Sequence, residues 1–269
     1  MIDAATSPRW EPRSLDPGKN RGRRDDLAAT RETALLRNCR LEIGYGSTRL
    51  LPPIDLELES GQFWAIIGRN GCGKTTWLRT LLGLLPPLGG TLERRPGLRL
   101  AYLRQRSEVD DLYPLLARDV VSMGTLRDGV WFGPARRRAV EVDRALALMG
   151  ATDLGSEPFC TLSEGQRQRI LFARVAASRP HLALLDEPTS AMDLVAEREA
   201  FGWLQHLREE TGVTVVVVSH YVELVVDFAD HAVLFDRDTP AVVAGRPQRV
   251  LQDPAFATQY GASVEAGQP

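Results

Sequence analysis

The sequence predicts an α/β protein whose core is a largely parallel β-sheet. Apolar runs of strand length, such as 182–185 and 213–218, alternate along the chain with segments of helical periodicity. These runs are apolar throughout, which is typical of strands that helices cover on both faces. A glycine-rich loop at 68–76 lies between such a strand and a helix. Because ligands of parallel sheets bind where the strands end, we expect the functional residues at the carboxyl edge.

The composition is that of a globular protein. The chain has 269 residues, of which 43% are hydrophobic and 25% charged, with a net charge of −2. This charge gives no electrostatic case for nucleic acid, so no nucleic-acid partner is expected. No apolar run approaches the roughly 20 residues that span a bilayer. The three cysteines, Cys39, Cys72 and Cys160, lack metal-type spacing and are expected as reduced thiols.

The chain is expected to contain one folded domain between two tails. Residues 1–32 are rich in Pro, Arg, Asp and Ser, which predicts a disordered tail. The basic residues at 21–24 leave open a contact with an anionic lipid or a partner. The folded domain is predicted at 33–262, with a mostly helical insert at about 108–178, and a second tail at 263–269.

Within the domain, each element follows from its local pattern. Residues 34–43 and 54–58 alternate and predict half-buried strands. Residues 110–160 lack a strong β pattern, whereas 117–123 and 139–149 have helical periodicity. Further strands are predicted at 63–67, 98–103, 182–185, 213–218, 232–236 and 241–244, and further helices at 77–82, 165–178, 194–210 and 221–228.

The loop at 68–76 fits the phosphate-binding pattern G-x-x-x-x-G-K-[ST]. Gly68, Gly71 and Gly73 allow a positive φ and a close approach of the backbone to phosphate. Lys74 supplies a point charge, and the Thr75 hydroxyl is a ligand for Mg²⁺. The only other lysine is at position 19, in the predicted tail, so Lys74 is the only lysine of the predicted folded domain. Its compact ammonium suits a phosphate site better than the planar guanidinium of arginine. The predicted nucleotide-binding residues of the loop are Gly68, Asn70, Gly71, Cys72, Gly73, Lys74, Thr75 and Thr76.

Polar residues also follow three other predicted strands. Asp186 and Glu187 end the apolar run 182–185, His220 follows 213–218, and Gln105 follows 98–103. Asp186 is suited to hold Mg²⁺, and Glu187 to take a proton from an attacking water. His220 is suited to contact the terminal phosphate. Ser163 begins a predicted helix, whose N-terminus favours anions.

Residues 162–166, Leu-Ser-Glu-Gly-Gln, together with the phosphate loop, resemble the motifs of ATP-binding cassette (ABC) ATPases. The resemblance extends from about 35 to 261. It implies a P-loop NTPase fold with a largely parallel sheet core, an N-terminal antiparallel β part and a helical insert subdomain. It also implies roles for residues in corresponding places: Tyr45 on adenine, Gln105 on the nucleotide and Mg²⁺, Ser163, Gly165 and Gln166 on the ATP of a second subunit, Asp193 in the D-loop, and Glu187 and His220 in catalysis.

The resemblance further implies an ATP-hydrolysing subunit that uses ATP and Mg²⁺. The expected partners are a second copy in a head-to-tail dimer, a separate transmembrane permease and a substrate-binding protein. The expected location is the cytoplasmic face of the inner membrane, through the permease. Residues 116–124 resemble the segment of importer ATPases that faces the membrane subunit. Residues 253–261 resemble the C-terminal ending common in the zinc/manganese uptake branch. An iron-chelate or cobalamin importer and a non-transport, cluster-assembly cassette remain alternatives.

Two local features lead to further expectations. The motif at 162–166 has Glu164 where the family usually has glycine, which we expect to weaken ATP-driven dimerisation through charge repulsion. Cys72 lies near Lys74 and a helix N-terminus, both of which favour thiolate. The sequence therefore predicts that Cys72 is an accessible and activated thiol, more reactive than Cys39 and Cys160.

Overall fold

The computed structural model describes residues 34–104, 115–126, 135–189 and 193–264. The predicted N-terminal tail, Gln105 and residues 190–192 lie outside these ranges. Within them, no helix combines the length and the apolar character that a membrane crossing requires.

The N-terminal part of the domain is antiparallel, as expected. Its strands are β1 (Ala34–Glu42), β2 (Gly44–Tyr45), β3 (Thr48–Arg49), β4 (Ile54–Glu59) and, further along the chain, β6 (Gly89–Arg94). Strands β4, β1 and β6 form one sheet in that order, and β2 pairs with β3. Strand β6 was not predicted because Leu92 is its only large apolar residue, which leaves no periodic pattern.

The central sheet confirms the predicted α/β class. Its strands are β5 (Phe63–Ile67), β7 (Leu100–Leu103), β8 (Leu182–Leu185), β9 (Thr214–Val218), β10 (His231–Asp236) and β11 (Ala241–Gly245). They lie in the order β11-β10-β5-β9-β8-β7, and only the β10–β11 pair is antiparallel. Because β5, β8 and β9 all run in one direction, the residues that follow them meet at one edge of the sheet.

Helices flank this sheet and build the insert. They are α1 (Lys74–Leu82), α2 (Ala117–Met123), α3 (Ala135–Leu148), α4 (Glu164–Ala177), α5 (Leu194–Thr211), α6 (Val222–Phe228), α7 (Pro247–Leu251) and α8 (Pro254–Val264). Helices α2, α3 and α4 pack against one another as the expected helical insert, and α4 also contacts α5. Helix α8 ends at Val264, and the predicted domain bounds of 33–262 stay a prediction.

The core explains why the central strands have no alternating pattern. Phe63 packs into the hydrophobic cluster that contains the insert, whereas Trp64, its neighbour in β5, packs into the cluster beneath the N-terminal sheet. Val215 and Val216 of β9 divide in the same way. Both faces of these strands are therefore buried, and apolar residues are favoured at every position.

Candidate functional site

The phosphate loop connects β5 to α1 in the predicted strand–loop–helix arrangement. Gly68, Gly71 and Gly73 have backbone φ values of 148°, 78° and 111°, which residues with a side chain rarely adopt. A Cβ atom on Gly68 would also lie 2.5 Å from the carbonyl oxygen of Phe235. The glycines are therefore required by backbone conformation and, at Gly68, by the closeness of β10.

Lys74 is the first residue of α1, and its side chain turns back over the loop. Its Nζ donates hydrogen bonds to the carbonyl oxygens of Gly68, at 2.7 Å, and Arg69, at 3.2 Å. The Lys74 side chain is only 5% exposed, and its Nζ lies 3.6 Å from the carboxylate of Glu187. The ammonium is thus held within the loop at the N-terminus of α1, where an anion is favoured.

Thr75 and Asp186 bring two oxygen ligands together from segments far apart in the chain. Thr75 Oγ1 donates to Asp186 Oδ1 at 3.1 Å, and the Tyr102 hydroxyl donates to Asp186 Oδ2 at 3.2 Å. Burial raises the pKa of Asp186, and these two hydrogen bonds oppose the rise. A buried carboxylate beside a hydroxyl is a donor set of the kind that Mg²⁺ prefers.

Glu187 and His220 meet at the ends of β8 and β9. His220 Nε2 donates to Glu187 Oε1 at 2.9 Å. This hydrogen bond lowers the pKa of Glu187, although burial opposes the effect. Glu187 has a φ of 47°, a left-handed conformation that is uncommon for residues other than glycine. Such strain is often stored at functional sites, which agrees with the predicted role of this carboxylate.

Tyr45 lies beside the phosphate-loop helix. Its hydroxyl is 3.3 Å from Oγ1 of Thr76, a buried residue of α1, while its side chain is about half exposed. An exposed aromatic ring next to the loop is suited to stack on a base. The predicted adenine contact is compatible with this placement and remains a prediction.

The remaining predicted nucleotide residues lie at the N-termini of α4 and α5. Ser163 and Gln166 form a reciprocal capping box: Gln166 N donates to Ser163 Oγ at 3.4 Å, and Ser163 N donates to Gln166 Oε1 at 2.9 Å. A Cβ on Gly165 would meet no atom within 4 Å, so this position is open. Asp193 caps α5 by accepting from Ala196 N at 2.9 Å. These side chains have structural partners within the chain, and their contact with a second subunit's ATP remains a prediction.

One prediction is wrong, and one residue of the site, Tyr102, was not predicted. Burial raises the pKa of Cys72 and outweighs the effect of Lys74, so Cys72 is not the accessible, activated thiol that was expected. Tyr102 was missed because its distance from Asp186 depends on β7 lying next to β8. Burial and the neighbouring Asp186 raise the pKa of Tyr102 to about 12, so its hydroxyl stays protonated. Gln105 lies outside the described residues.

Comparison with known proteins identifies the family of this chain. The profile of the ABC transporter family matches residues 51–190. The zinc import ATP-binding protein ZnuC of Pseudomonas putida is 36% identical over 233 residues, covering 85% of this chain and 84% of that protein. ZnuC of Yersinia pestis is 34% identical over 222 residues, covering 82% and 83%.

Solved structures agree with the fold. A chain of an inward-facing ABC transporter, described as being of the metal-chelate type, matches with a TM-score of 0.76 and 28% identity, covering 85% of this chain and 89% of that chain. CbiO1 of Clostridium perfringens, part of the ABC transporter complex CbiONQ, has a TM-score of 0.74 at 23% identity and covers 87% and 97%. The profile match and the curated relatives establish that this chain belongs to the ABC transporter family and is its ATP-binding ATPase subunit.

Proposed function

We propose that the chain hydrolyses ATP to drive the uptake of zinc through a separate membrane permease. The observation that carries this proposal is a phosphate loop with Asp186, Glu187 and His220 gathered beside it. The chain that carries it resembles zinc import ATP-binding proteins over more than four-fifths of its length. Manganese is also a divalent metal ion, and the proposal includes it as an alternative transported ion. Metal-chelate uptake is the second candidate, because the inward-facing structural relative is described as being of that type.

The residues of the site suit a division of labour in phosphoryl transfer. Lys74 and the loop amides bind the phosphates, as an anion nest at a helix N-terminus does. Thr75 and Asp186 fit Mg²⁺, because they place a hydroxyl and a buried carboxylate within 3.1 Å of each other. A bound Mg²⁺ would neutralise part of the charge on the phosphate oxygens.

Glu187 is proposed as the base that orients the attacking water and accepts its proton. The hydrogen bond from His220 keeps Glu187 ionised and fixes its direction. The ammonium of Lys74, 3.6 Å from the same carboxylate, places the base beside the phosphate-binding group. His220 is 43% exposed and is therefore accessible to a phosphate as well as to Glu187.

A second copy of the chain is proposed to complete the site, because ABC ATPases work as dimers. Ser163 is exposed and Gly165 partly exposed at the beginning of α4, and a helix N-terminus favours anions. Glu164, also exposed, adds a negative charge at this surface. We therefore expect Glu164→Gly to strengthen dimerisation in MgATP, as measured by size-exclusion chromatography with light scattering. An unchanged dimer fraction would show that Glu164 does not face the nucleotide.

The insert is proposed to dock the permease, and a groove beside α2 supports this role. The groove is lined by exposed Met123 and Leu126, and by Arg118, whose guanidinium pairs with Asp143 at 3.0 Å. Val121 of the same segment is fully buried and contributes to the core instead. Val121 is therefore left out of the proposed contact surface within 116–124.

Charge reversal tests the docking surface. Arg118→Glu should abolish co-purification with membranes while ATP binding is unchanged. Arg198→Glu is the matched control, since Arg198 is also half-exposed and paired with an aspartate, at 2.7 Å from Asp227. Membrane association that survives Arg118→Glu would place the docking surface elsewhere.

The transported substrate is tested in cells. Deletion of the gene should lower cellular zinc and prevent growth under chelation, and the wild-type gene should restore both. The Lys74→Ala gene should restore neither, because it removes the phosphate-binding charge. Normal zinc and manganese together with lost metal-chelate uptake would refute zinc import and favour the second candidate.

A further inference from the structure

A buried carboxylate that has no role in the site described above lies directly behind it. Glu197, in the first turns of α5, is 3% exposed. Ser219 Oγ donates to Glu197 Oε1 at 2.8 Å, and the Thr189 side chain forms a second hydrogen bond with the same carboxylate. Ser219 and Thr189 are themselves 2% and 4% exposed, so the whole cluster is excluded from solvent.

The two partners of Glu197 flank the proposed catalytic pair. Ser219 immediately precedes His220, and Thr189 follows Glu187 after a single proline. Ser219 Oγ also accepts a hydrogen bond from the backbone N–H of Tyr221 at 3.1 Å, so it holds the chain on both sides of His220. One carboxylate therefore connects the loop that carries Glu187 with the loop that carries His220.

We infer that Glu197 is a positioning residue, which keeps His220 within hydrogen-bonding distance of Glu187 and couples both loops to the start of α5. The inference rests on the proposed roles of Glu187 and His220. Asp193, which caps α5, lies one helical turn before Glu197. A displacement of the α5 N-terminus would therefore move both loops through the hydrogen bonds of Glu197. Because Glu197, Ser219 and Thr189 are buried, water cannot replace these hydrogen bonds.

The free-energy cost of burying the Glu197 carboxylate supports a role in function rather than in stability. Burial raises the pKa of Glu197, and the hydrogen bonds of Ser219 and Thr189 only partly oppose the rise. Replacing such a buried polar cluster with well-packed apolar residues is often neutral or stabilising. Stability alone therefore does not explain a carboxylate here, whereas directed hydrogen bonds that fix two loops do.

Steady-state ATPase kinetics test the inference. A small displacement of a catalytic group costs up to about 100-fold in rate, so Glu197→Ala should lower kcat about 10- to 100-fold. The KM for ATP should stay within about threefold, because the hydrogen bonds of Glu197 are made with Ser219 and Thr189, which are not residues of the phosphate loop. Glu197→Gln keeps an oxygen acceptor for Ser219 and should restore kcat to within about threefold of the wild type.

A double-mutant cycle adds a measurement that simple destabilisation would not move. Ser219→Ala should also lower kcat, and the loss in the double variant should be clearly smaller than the two single losses combined, because both changes remove the hydrogen bond between Ser219 and Glu197. Fully additive losses would overturn the inference. So would a wild-type kcat in Glu197→Ala, or a kcat in Glu197→Gln as low as in Glu197→Ala.

Two control variants on α5 and one in the site complete the design. Glu199→Ala removes an exposed carboxylate from the same helix and should leave kcat unchanged. Leu207→Ala opens a cavity at a position that is 1% exposed and lies in the last two turns of α5, and it should lower Tm without the loss of kcat. An equal loss of kcat in Leu207→Ala would attribute the effect to stability and overturn the inference. Glu187→Gln reports separately on the proposed base, whatever Glu197→Ala shows.

Discussion

Replacing Glu187 with glutamine separates ATP binding from ATP hydrolysis at this site. The amide keeps nearly the same shape and an oxygen that accepts the hydrogen bond from His220, which is 2.9 Å long in the wild type. It removes the group that accepts the proton of the attacking water. A positioned general base contributes about 10²–10⁴ in rate. We therefore expect kcat to fall by that factor, which raises the barrier by about 3–5 kcal/mol.

The same change should preserve or improve ATP affinity. Glu187 lies 3.6 Å from Lys74 Nζ, and both side chains are largely buried. At an effective dielectric constant of about 20, this distance corresponds to a gross attraction of about 4.6 kcal/mol, before the cost of desolvation is subtracted. With glutamine at position 187, the ammonium of Lys74 no longer pairs with a carboxylate and can bind phosphate alone. The change also removes a negative charge that repels the phosphate. A gain of up to about tenfold in affinity, or about 1.4 kcal/mol, is the expected limit.

Two assays measure these effects independently. Phosphate release under saturating MgATP gives kcat, and titration with a fluorescent ATP analogue gives Kd. Glu199→Gln is the matched control, because it removes an exposed carboxylate of α5 and should change neither quantity. A Glu187→Gln enzyme whose kcat stays within about threefold of the wild type would refute the assignment of the base.

Three further predictions concern stability and reactivity. Burial raises the pKa of Asp186 in the folded protein. Protonation of Asp186 therefore stabilises the folded state at low pH, and this contribution to stability is lost as the pH rises through the folded-state pKa. Asp186→Asn should therefore raise Tm near pH 7 without nucleotide, and the gain should vanish below the ordinary pKa of an aspartate, about 3.9, as thermal scans will show. Cys72 should be alkylated more slowly than Cys39 or Cys160, and equal labelling in peptide maps would contradict its burial. Trp77→Ala should cost about 3–5 kcal/mol in urea unfolding. Trp77→Phe should cost less, because the indole N–H has no hydrogen-bond partner.

Local patterns predicted much of the fold because they record local constraints. The run 63–67 is a strand with the predicted bounds, and so is 182–185. Helix α2 also has the predicted bounds, since burial of one face leaves a periodic trace in the sequence. The pattern fails where that trace is weak. Strand β6 is mostly polar, and α7 and α8 are short or lack a strongly polar face.

The prediction for Cys72 failed for a related reason. The sequence places the thiol near Lys74, which lowers the pKa of the thiol, but it does not reveal how deeply the side chain is buried. The Cys72 side chain is 2% exposed beneath the loop, and desolvation outweighs the attraction. A charged residue close in sequence, such as Lys74, can be inferred from the spacing. The burial of Cys72 depends on which other elements pack against the loop, and the local sequence does not specify them.

The sequence by itself determined the chemical inventory of this site: the glycines and lysine of the loop, the carboxylates that end β8 and the histidine that ends β9. Their order along the chain and the parallel strand class place them at one edge of a sheet. Only the tertiary structure decided which atoms meet. Thr75 reaches Asp186 across 111 positions, and Tyr102 reaches it from a strand whose neighbour no local pattern specifies. Glu197 is likewise an ordinary helix residue until packing buries it beneath two loops, because hydrogen-bond partners distant in sequence are set by strand order and helix packing.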